Sequence, residues 1–282
     1  MDKNKQRLGL YEKAMPKDLS WHEKLSLTQE SGFDWLEISI DETDDKLARL
    51  DYSDDEIEAL HQAMIDTKVP ILTMCLSGHR KYPLGSHDEE TVKKGLAIFE
   101  KALRFSQRLG IRIIQLAGYD VYYETSDDQT RSRFLENLKK GIQMASQYGI
   151  NCGFETMETL FMDTCTKAMH YVDACQSPYL GVYPDIGNLT NASRISHVSV
   201  QKDLERAQGH IFAAHLKEIV EGKYREIPLG TGDTHYDEAI RELKRQGVSL
   251  FTAEFWYTGS TEWKEDLKEA NRYFREKLNS VK

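Results

Sequence analysis

Glu155, Asp185, His215 and Glu254 each stand near the downstream end of a short apolar run: INCGFE, YLGVYPD, HIFAAHLK and SLFTAEFW. The runs recur every ~30 to 40 residues, the length of one strand-plus-helix unit. Two glutamates, an aspartate and a histidine make a hard, mostly oxygen donor set that suits one divalent metal ion such as Mn²⁺, Mg²⁺ or Co²⁺, with the imidazole leaving Zn²⁺ open. Taken singly, each residue has an ordinary alternative. A carboxylate at a strand end often caps the next helix, and a strand histidine is often a hydrogen-bonded core residue. Their joint placement changes that weighing, because three carboxylates buried side by side are costly unless a cation or protons neutralise them. A metal-centred active site is expected.

Side chains so far apart in sequence meet only if the strands that carry them are parallel and end on one face. Strand-like runs occur at Arg7–Tyr11, Trp35–Ile40, Val69–Leu76, Ile111–Ala117, Ile150–Glu155, Leu180–Asp185, Ile211–Lys217 and Leu250–Phe255. Their near-continuous apolar content suits strands covered on both faces. Helical stretches alternate with them, among them Glu89–Leu109, Thr130–Tyr148, Tyr236–Arg245 and Glu262–Leu278. In Tyr236–Arg245 the apolar face is Ala239, Ile240 and Leu243, while Glu238, Arg241, Glu242 and Lys244 are expected in water. Gly32, Gly110, Gly149 and Gly247 each follow a helical stretch and precede a strand, as helix-stopping glycines do. Eight alternations without a linker or a phosphate-binding glycine fingerprint favour an α/β fold of the (β/α)8 TIM-barrel type over an open doubly wound sheet, with residues 1–282 as a single domain. Gly187–Val200 and Gly222–His235 read as long irregular connections that shape a pocket or lid.

Further polar residues fall near the mouth of such a barrel. Glu12 and Glu37 are expected to hydrogen-bond sugar hydroxyls or neighbouring loops, and Glu158 likewise, unless it is only an exposed loop carboxylate. Gln115 closes the fourth strand and could line the pocket. His79, Arg80 and Lys81 follow the third strand, and Lys217, Lys223 and Arg225 follow the seventh; either group is a solvated loop or a local cationic pocket for a substrate phosphate. Phe251, Phe255, Trp256 and Tyr257 read as barrel packing with a pocket wall.

The formal net charge of −9 opposes general binding to nucleic acid or anionic membranes. The 29% of charged residues is dispersed and 40% of the chain is hydrophobic, enough for a substantial core, which argues against disorder. The N-terminal segment lacks the apolar stretch of a signal peptide, and Cys75, Cys152, Cys165 and Cys175 form no CxxC pair, so the cytoplasm is the expected compartment.

The segments LGLYEKAMP, GFDWLEISIDETDDKLARLDYS, CLSGHRKYPLGS, GIRIIQLAGYDVYYE, VYPDIGNL and GHIFAAHLKE resemble those of the L-ribulose-5-phosphate 3-epimerases, also called L-xylulose-5-phosphate 3-epimerases, of bacterial L-ascorbate and pentose utilisation. The resemblance runs over nearly the whole chain. It implies a xylose-isomerase-like TIM barrel, a divalent metal held by Glu155, Asp185, His215 and Glu254, and a phosphorylated ketopentose as substrate. Related ketose 3-epimerases commonly carry a histidine three residues after the metal-binding aspartate, where this chain has Asn188. The expected reaction is inversion at C3, whose hydrogen is acidified by the C2 carbonyl. A metal on the C2 and C3 oxygens would stabilise the enediolate, with Glu155 and Glu254 as the proton-removing and proton-returning pair. Rival readings are an epimerase or aldose-ketose isomerase of free sugars on the same scaffold, a DNA-repair endonuclease of the same superfamily, and a non-catalytic sugar-binding protein. A homodimer pairing through loops and outer helices is also expected.

Overall fold

The strand period decides the architecture. In β2 (Trp35–Ile40), Leu36, Ile38 and Ile40 belong to the main apolar core, while Glu37 and Ser39 are fully buried on the opposite face. The same alternation in β3 (Ile71–Leu76) sets Met74 and Leu76 against Thr73 and Cys75. A strand with one apolar and one polar buried face needs two different coverings, and a closed barrel wrapped in helices supplies both. Leu36, Ile38, Ile40, Met74 and Leu76 face the helices; Glu37, Ser39, Thr73 and Cys75 point into the barrel. Both faces of these strands are buried, as the apolar runs predict, and the inner face adds polar residues such as Glu37, Ser39 and Thr73.

The computed structural model describes residues 6–281. Besides β2 and β3, the sheet contains β1 (Arg7–Tyr11), β4 (Ile113–Ala117), β5 (Asn151–Glu155), β6 (Leu180–Val182), β7 (Ala214–Leu216) and β8 (Leu250–Ala253). All pairings are parallel, in the order β6-β5-β4-β3-β2-β1-β8-β7. The ends of this order, β6 and β7, are joined only by two isolated parallel bridges, Val182 to Ile211 and Asp185 to His215. The barrel thus closes along a thin seam. β6 is shorter than the apolar run because Pro184 has no N–H to donate; its carbonyl still accepts from His215 N at 2.9 Å.

The helices are α1 (Trp21–Glu30), α2 (Asp44–Ala48), α3 (Asp54–Thr67), α4 (Glu89–Leu109), α5 (Asp128–Tyr148), α6 (Cys165–Cys175), α7 (Ile186–Ser196), α8 (Val200–Arg206), α9 (Tyr236–Arg245) and α10 (Trp263–Ser280). Ser20 and Ser53 start α1 and α3 with reciprocal capping boxes to Glu23 and Glu56. Gly110 and Gly149 close α4 and α5 at φ 76° and 67°, and Gly32 and Gly247 also adopt the left-handed conformation expected of them. Two expectations fail. Gly187–Val200 is mostly helical: Asp185 caps α7, and burial of Ile186 through Ala192 overrides the poor helix propensity of its Asn, Thr and Gly residues. Glu242 is buried rather than solvated, because Arg245 and Gln246 of the same helix end cover and hydrogen-bond its carboxylate. Gly222–His235 contains neither helix nor strand, as expected.

Two further features fix the barrel. Trp35 turns its indole inward over Gly9, where an added Cβ would lie 2.2 Å from the ring. Glu12, directly after β1, is buried beneath Lys24, Lys46 and Arg49 at 2.7 to 2.8 Å and accepts from Ser39 N at 2.9 Å. This carboxylate ties the loops after the first two strands together and does not reach the cavity, so the loop role, not the sugar role, is the one observed. Burial opposes its ionisation, but Lys46, Arg49 and Lys24 outweigh that and hold its pKa far below the usual range.

Gly9→Ala should lower the thermal unfolding midpoint by an amount corresponding to about 1–3 kcal/mol, as overpacking against Trp35 does. Since the pKa of Glu12 is depressed on folding, its contribution is complete above the unfolded value of about 4.3 and is lost as pH falls below it. Urea unfolding of Glu12→Gln should therefore show a deficit of about 3–5 kcal/mol at pH 7 that narrows towards pH 3. A deficit independent of pH would contradict the ionic account.

Candidate metal centre and active site

Glu155 ends β5, Asp185 follows β6 after Pro184, His215 is the central residue of β7, and Glu254 follows β8. Register brings them together: Asp185 bridges to His215 across the seam, and Glu254 N donates to Leu216 O at 3.0 Å. One ligand atom from each of the four lies within 4.8 Å of the others, and all four residues are buried. Thr156 secures the junction of β5 and β6, its hydroxyl accepting from Asp185 N at 3.0 Å.

The neighbouring groups leave specific atoms of this cluster free. Glu37 Oε1 accepts from His215 Nε2 at 2.7 Å, while its Oε2 accepts from Thr73 Oγ1 at 2.7 Å and Tyr183 Oη at 2.8 Å. An ionised carboxylate only accepts, so the Nε2 proton points at Glu37 and the Nδ1 atom faces the cluster. Gln115 Nε2 donates to one oxygen of Glu155. Asp185 divides its work: Oδ1 caps α7 by accepting from Asn188 N at 2.6 Å, and Oδ2 turns inward. The ordinary cap reading of this aspartate and the metal-ligand reading thus apply to different oxygens of one residue.

Asp185 Oδ2, His215 Nδ1 and Glu254 Oε2 are buried without a properly directed hydrogen bond, although His215 Nδ1 and Glu254 Oε2 are only 3.0 Å apart. Buried polar atoms of this kind normally have partners. Four carboxylates, counting Glu37, are opposed here by one ammonium, Lys217 Nζ, 3.0 Å from Asp185 Oδ2, and one imidazole. A divalent cation among the convergent lone pairs satisfies both the orphaned atoms and the excess charge, so the donor set fits the metal that the spacing called for. Burial and the crowded charges shift the titration of the residues in the cluster. Burial pushes Asp185 up to about 7 even beside Lys217. Burial opposes charge on His215 and Lys217, yet the surrounding carboxylates hold both well above their ordinary values. Glu254 is held low, because Lys217 and His215 together outweigh its burial.

Above the cluster lies a cavity of about 50 Å³ lined by Tyr11, Cys75, Arg80, Glu155, Glu158, Asn188, Lys217, Arg225, Glu254 and Trp256, among others. Asn188 donates through Nδ2 to Thr156 O at 2.7 Å and leaves Oδ1 unpartnered. Glu158, Arg80 and Arg225 stand at the mouth. Three residues expected in contact with substrate lie elsewhere. His79 turns away to hydrogen-bond Gly95 O at 3.0 Å against Phe99, where burial lowers its pKa to about 4. Glu37 is enclosed below His215, and Gln115 supports Glu155 from beneath. Lys217 is also displaced from its expected place: it joins the acidic cluster, not the basic loop that carries Arg225. Thr73 and Tyr183, which donate to Glu37, and Thr252, which bonds Tyr183, are not among the residues the sequence singles out; for the two threonines the signal is the alternation of polar residues along β3 and β8.

An eight-stranded parallel barrel with an acidic, histidine-containing cluster at the carboxyl ends of its last four strands defines the xylose isomerase-like class of TIM barrels, and the family model of that description matches residues 25–277. The L-ribulose-5-phosphate 3-epimerase UlaE of Escherichia coli is 41% identical over 250 residues, covering 88% of this chain and 87% of its own length. The chain belongs to the xylose isomerase-like TIM barrel family and, within it, to the L-ribulose-5-phosphate 3-epimerases. Solved structures share the fold at lower identity. A D-psicose 3-epimerase from Clostridium cellulolyticum H10, solved with D-tagatose, superposes with a TM-score of 0.80 at 18% identity, over 96% of this chain and 99% of that one. An L-ribulose 3-epimerase gives 0.79 at 16%, over 98% and 95%, and the IolI protein with a bound zinc atom gives 0.79 at 16%, over 98% and 99%. No helix among the described residues is long and apolar enough to cross a membrane.

Metal titration by calorimetry should show that Asp185→Asn and His215→Ala abolish tight divalent binding. Glu37→Gln, which touches no cavity atom, should weaken it about 10–100-fold through loss of the His215 orientation. Undiminished affinity in Glu37→Gln would remove its positioning role.

Proposed function

We propose that this protein is an isomerase that interconverts L-ribulose 5-phosphate and L-xylulose 5-phosphate by inversion at C3, with one divalent ion, Mn²⁺, Co²⁺, Mg²⁺ or Zn²⁺, held by Glu155, Asp185, His215 and Glu254. The observation that carries the reading is the pair of glutamates, Glu155 and Glu254, reaching one small cavity from strands on either side of Asp185 and His215, in a chain 41% identical to a protein named for that reaction. Bound there, the ion would supply Lewis acidity to the ketose oxygens.

The remaining steps fall to the side chains. One glutamate takes the C3 proton and the other returns one to the opposite face, exchanging roles in the reverse direction. Gln115 fixes one oxygen of Glu155 and so restricts its rotation. Lys217, buried beside Asp185, presents an ammonium to the cavity where negative charge develops on substrate oxygen. Asn188 offers its free Oδ1 as acceptor for a sugar hydroxyl. Arg80 and Arg225 at the mouth meet the phosphate, whose binding orients C3 between the glutamates. Residues 1–282 act as one domain, as a homodimer in the cytoplasm, within L-ascorbate or pentose utilisation.

In D₂O the epimerised product should carry deuterium at C3, and Glu155→Gln and Glu254→Gln should each lower kcat by about 10²–10⁴-fold in preparations matched for metal content. Product without solvent label would replace the two-base path by direct hydrogen transfer. kcat/KM should favour the phosphorylated ketopentoses over free L-ribulose; equal efficiency would move the assignment to a free-sugar epimerase.

A further inference from the structure

At the mouth of the cavity above the acidic cluster, side chains of different loops stand against one another. Glu158, after β5, accepts a hydrogen bond from Tyr119 Oη at 2.8 Å through Oε2, and its Oε1 lies 3.8 Å from Arg225 on the loop after β7. Arg225 in turn lies over the Trp256 ring, 5.8 Å from its centroid. Arg80, after β3, stacks on Tyr119 and Tyr122 at 5.8 and 4.9 Å, and its Nε is buried with no partner. Other cations that line the cavity are committed at short range: Lys217 to Asp185 at 3.0 Å and Lys13 to Asp41 at 2.6 Å. Arg80 and Arg225 are the lining cations without a short ion pair among the described residues, and Glu158 is the carboxylate placed between their loops.

We propose that Glu158 is an internal counter-ion that stands in for the substrate's phosphate: it holds the mouth while the site is free and is displaced when a phosphoryl dianion binds Arg80 and Arg225. This rests on the sugar-phosphate reading of the site. A phosphoryl group that reaches Arg225 takes the place beside it that Glu158 holds, 3.8 Å away. Phosphate is the stronger competitor for guanidinium groups, with nearly twice the charge of a carboxylate and three acceptor oxygens. A free ketose brings no charge to exchange and leaves Glu158 in place. Selectivity for phosphorylated sugars then comes from the exchange of one anion for another at the arginines.

The test uses metal-loaded enzyme and inorganic phosphate, with binding followed by calorimetry and by competitive inhibition. Gln still accepts from Tyr119, so Glu158→Gln removes charge without removing the contact, and it should bind phosphate about fivefold tighter. Tyr119→Phe, which frees Glu158 by another route, should shift affinity in the same direction. Arg80→Ala and Arg225→Ala should each weaken phosphate binding about tenfold or more and abolish the gain from Glu158→Gln in double variants. For the ketopentoses, KM of the phosphorylated sugar should fall in Glu158→Gln while that of the free sugar is unchanged. Phosphate affinity unchanged or weaker in both Glu158→Gln and Tyr119→Phe overturns the proposal, as does a gain that survives loss of either arginine. Phosphate affinities that follow the expected pattern in an enzyme that does not turn over ketopentose phosphates would uphold the counter-ion and reject the epimerase reading instead.

Discussion

Negative charge that cannot reach water organises the upper half of this barrel. Glu37, Glu155, Asp185 and Glu254 are buried within a few ångströms of one imidazole, and each unsatisfied carboxylate in such a place would cost several kcal/mol. Their neighbours follow from that. Lys217 is drawn inward to Asp185, Gln115 donates to Glu155, and Thr73 and Tyr183 donate to Glu37. What these donors leave unsatisfied is a set of lone pairs aimed at one point, the arrangement a hard divalent ion requires. The same charge accounts for the polar inner face of the strands.

Much of this was legible in the sequence, and the reasons differ between fold and site. Strand-helix alternation with glycine after the helices gave the barrel, because burial between helices and a left-handed helix stop each restrict residue choice locally. The four ligands were legible because each ends its own strand unit. The residues that tune them were not. His79 and Arg80 are adjacent in sequence, yet one packs on Phe99 and the other stacks on Tyr119 at the mouth; the tight 3₁₀ turn Gly78–Arg80 sends them in different directions. Lys217 and Arg225 belonged to one basic group in sequence, but Lys217 is two residues beyond His215 and shares its inward pleat. Glu37 was visible as a strand-end carboxylate; that it serves His215, 178 positions away, depends on barrel closure. α7 was hidden because its helix is stabilised by burial and by an N-cap that also belongs to the site.

The cavity and its mouth are built from two kinds of side chain. At the bottom, groups on strand ends are held by a buried hydrogen-bond network. At the top, the longer side chains of Glu158, Arg80 and Arg225 stand on separate loops. Glu218 helps to hold the loop that carries Arg225, accepting from Gly230 N at 2.8 Å. The scaffold therefore sets the groups of the acidic cluster on strand ends and carries the charged residues of the mouth on loops.

The thin seam between β6 and β7 has a consequence for how the barrel breathes. Where other neighbours share a continuous ladder, these two share isolated bridges, and the local free energy of opening should be smallest there. Backbone amides of Val182, Phe212 and His215, which donate across the seam, are expected to exchange with solvent ahead of those in β2 to β4. Asp185 and His215 face each other across the same line. Any ligand that engages both is a staple between the two edges of the sheet, and by mass action its occupancy opposes their separation. The weakest hydrogen-bonded join in the barrel and its buried acidic cluster are one place, so an ion bound to the cluster would also set how often the cylinder opens.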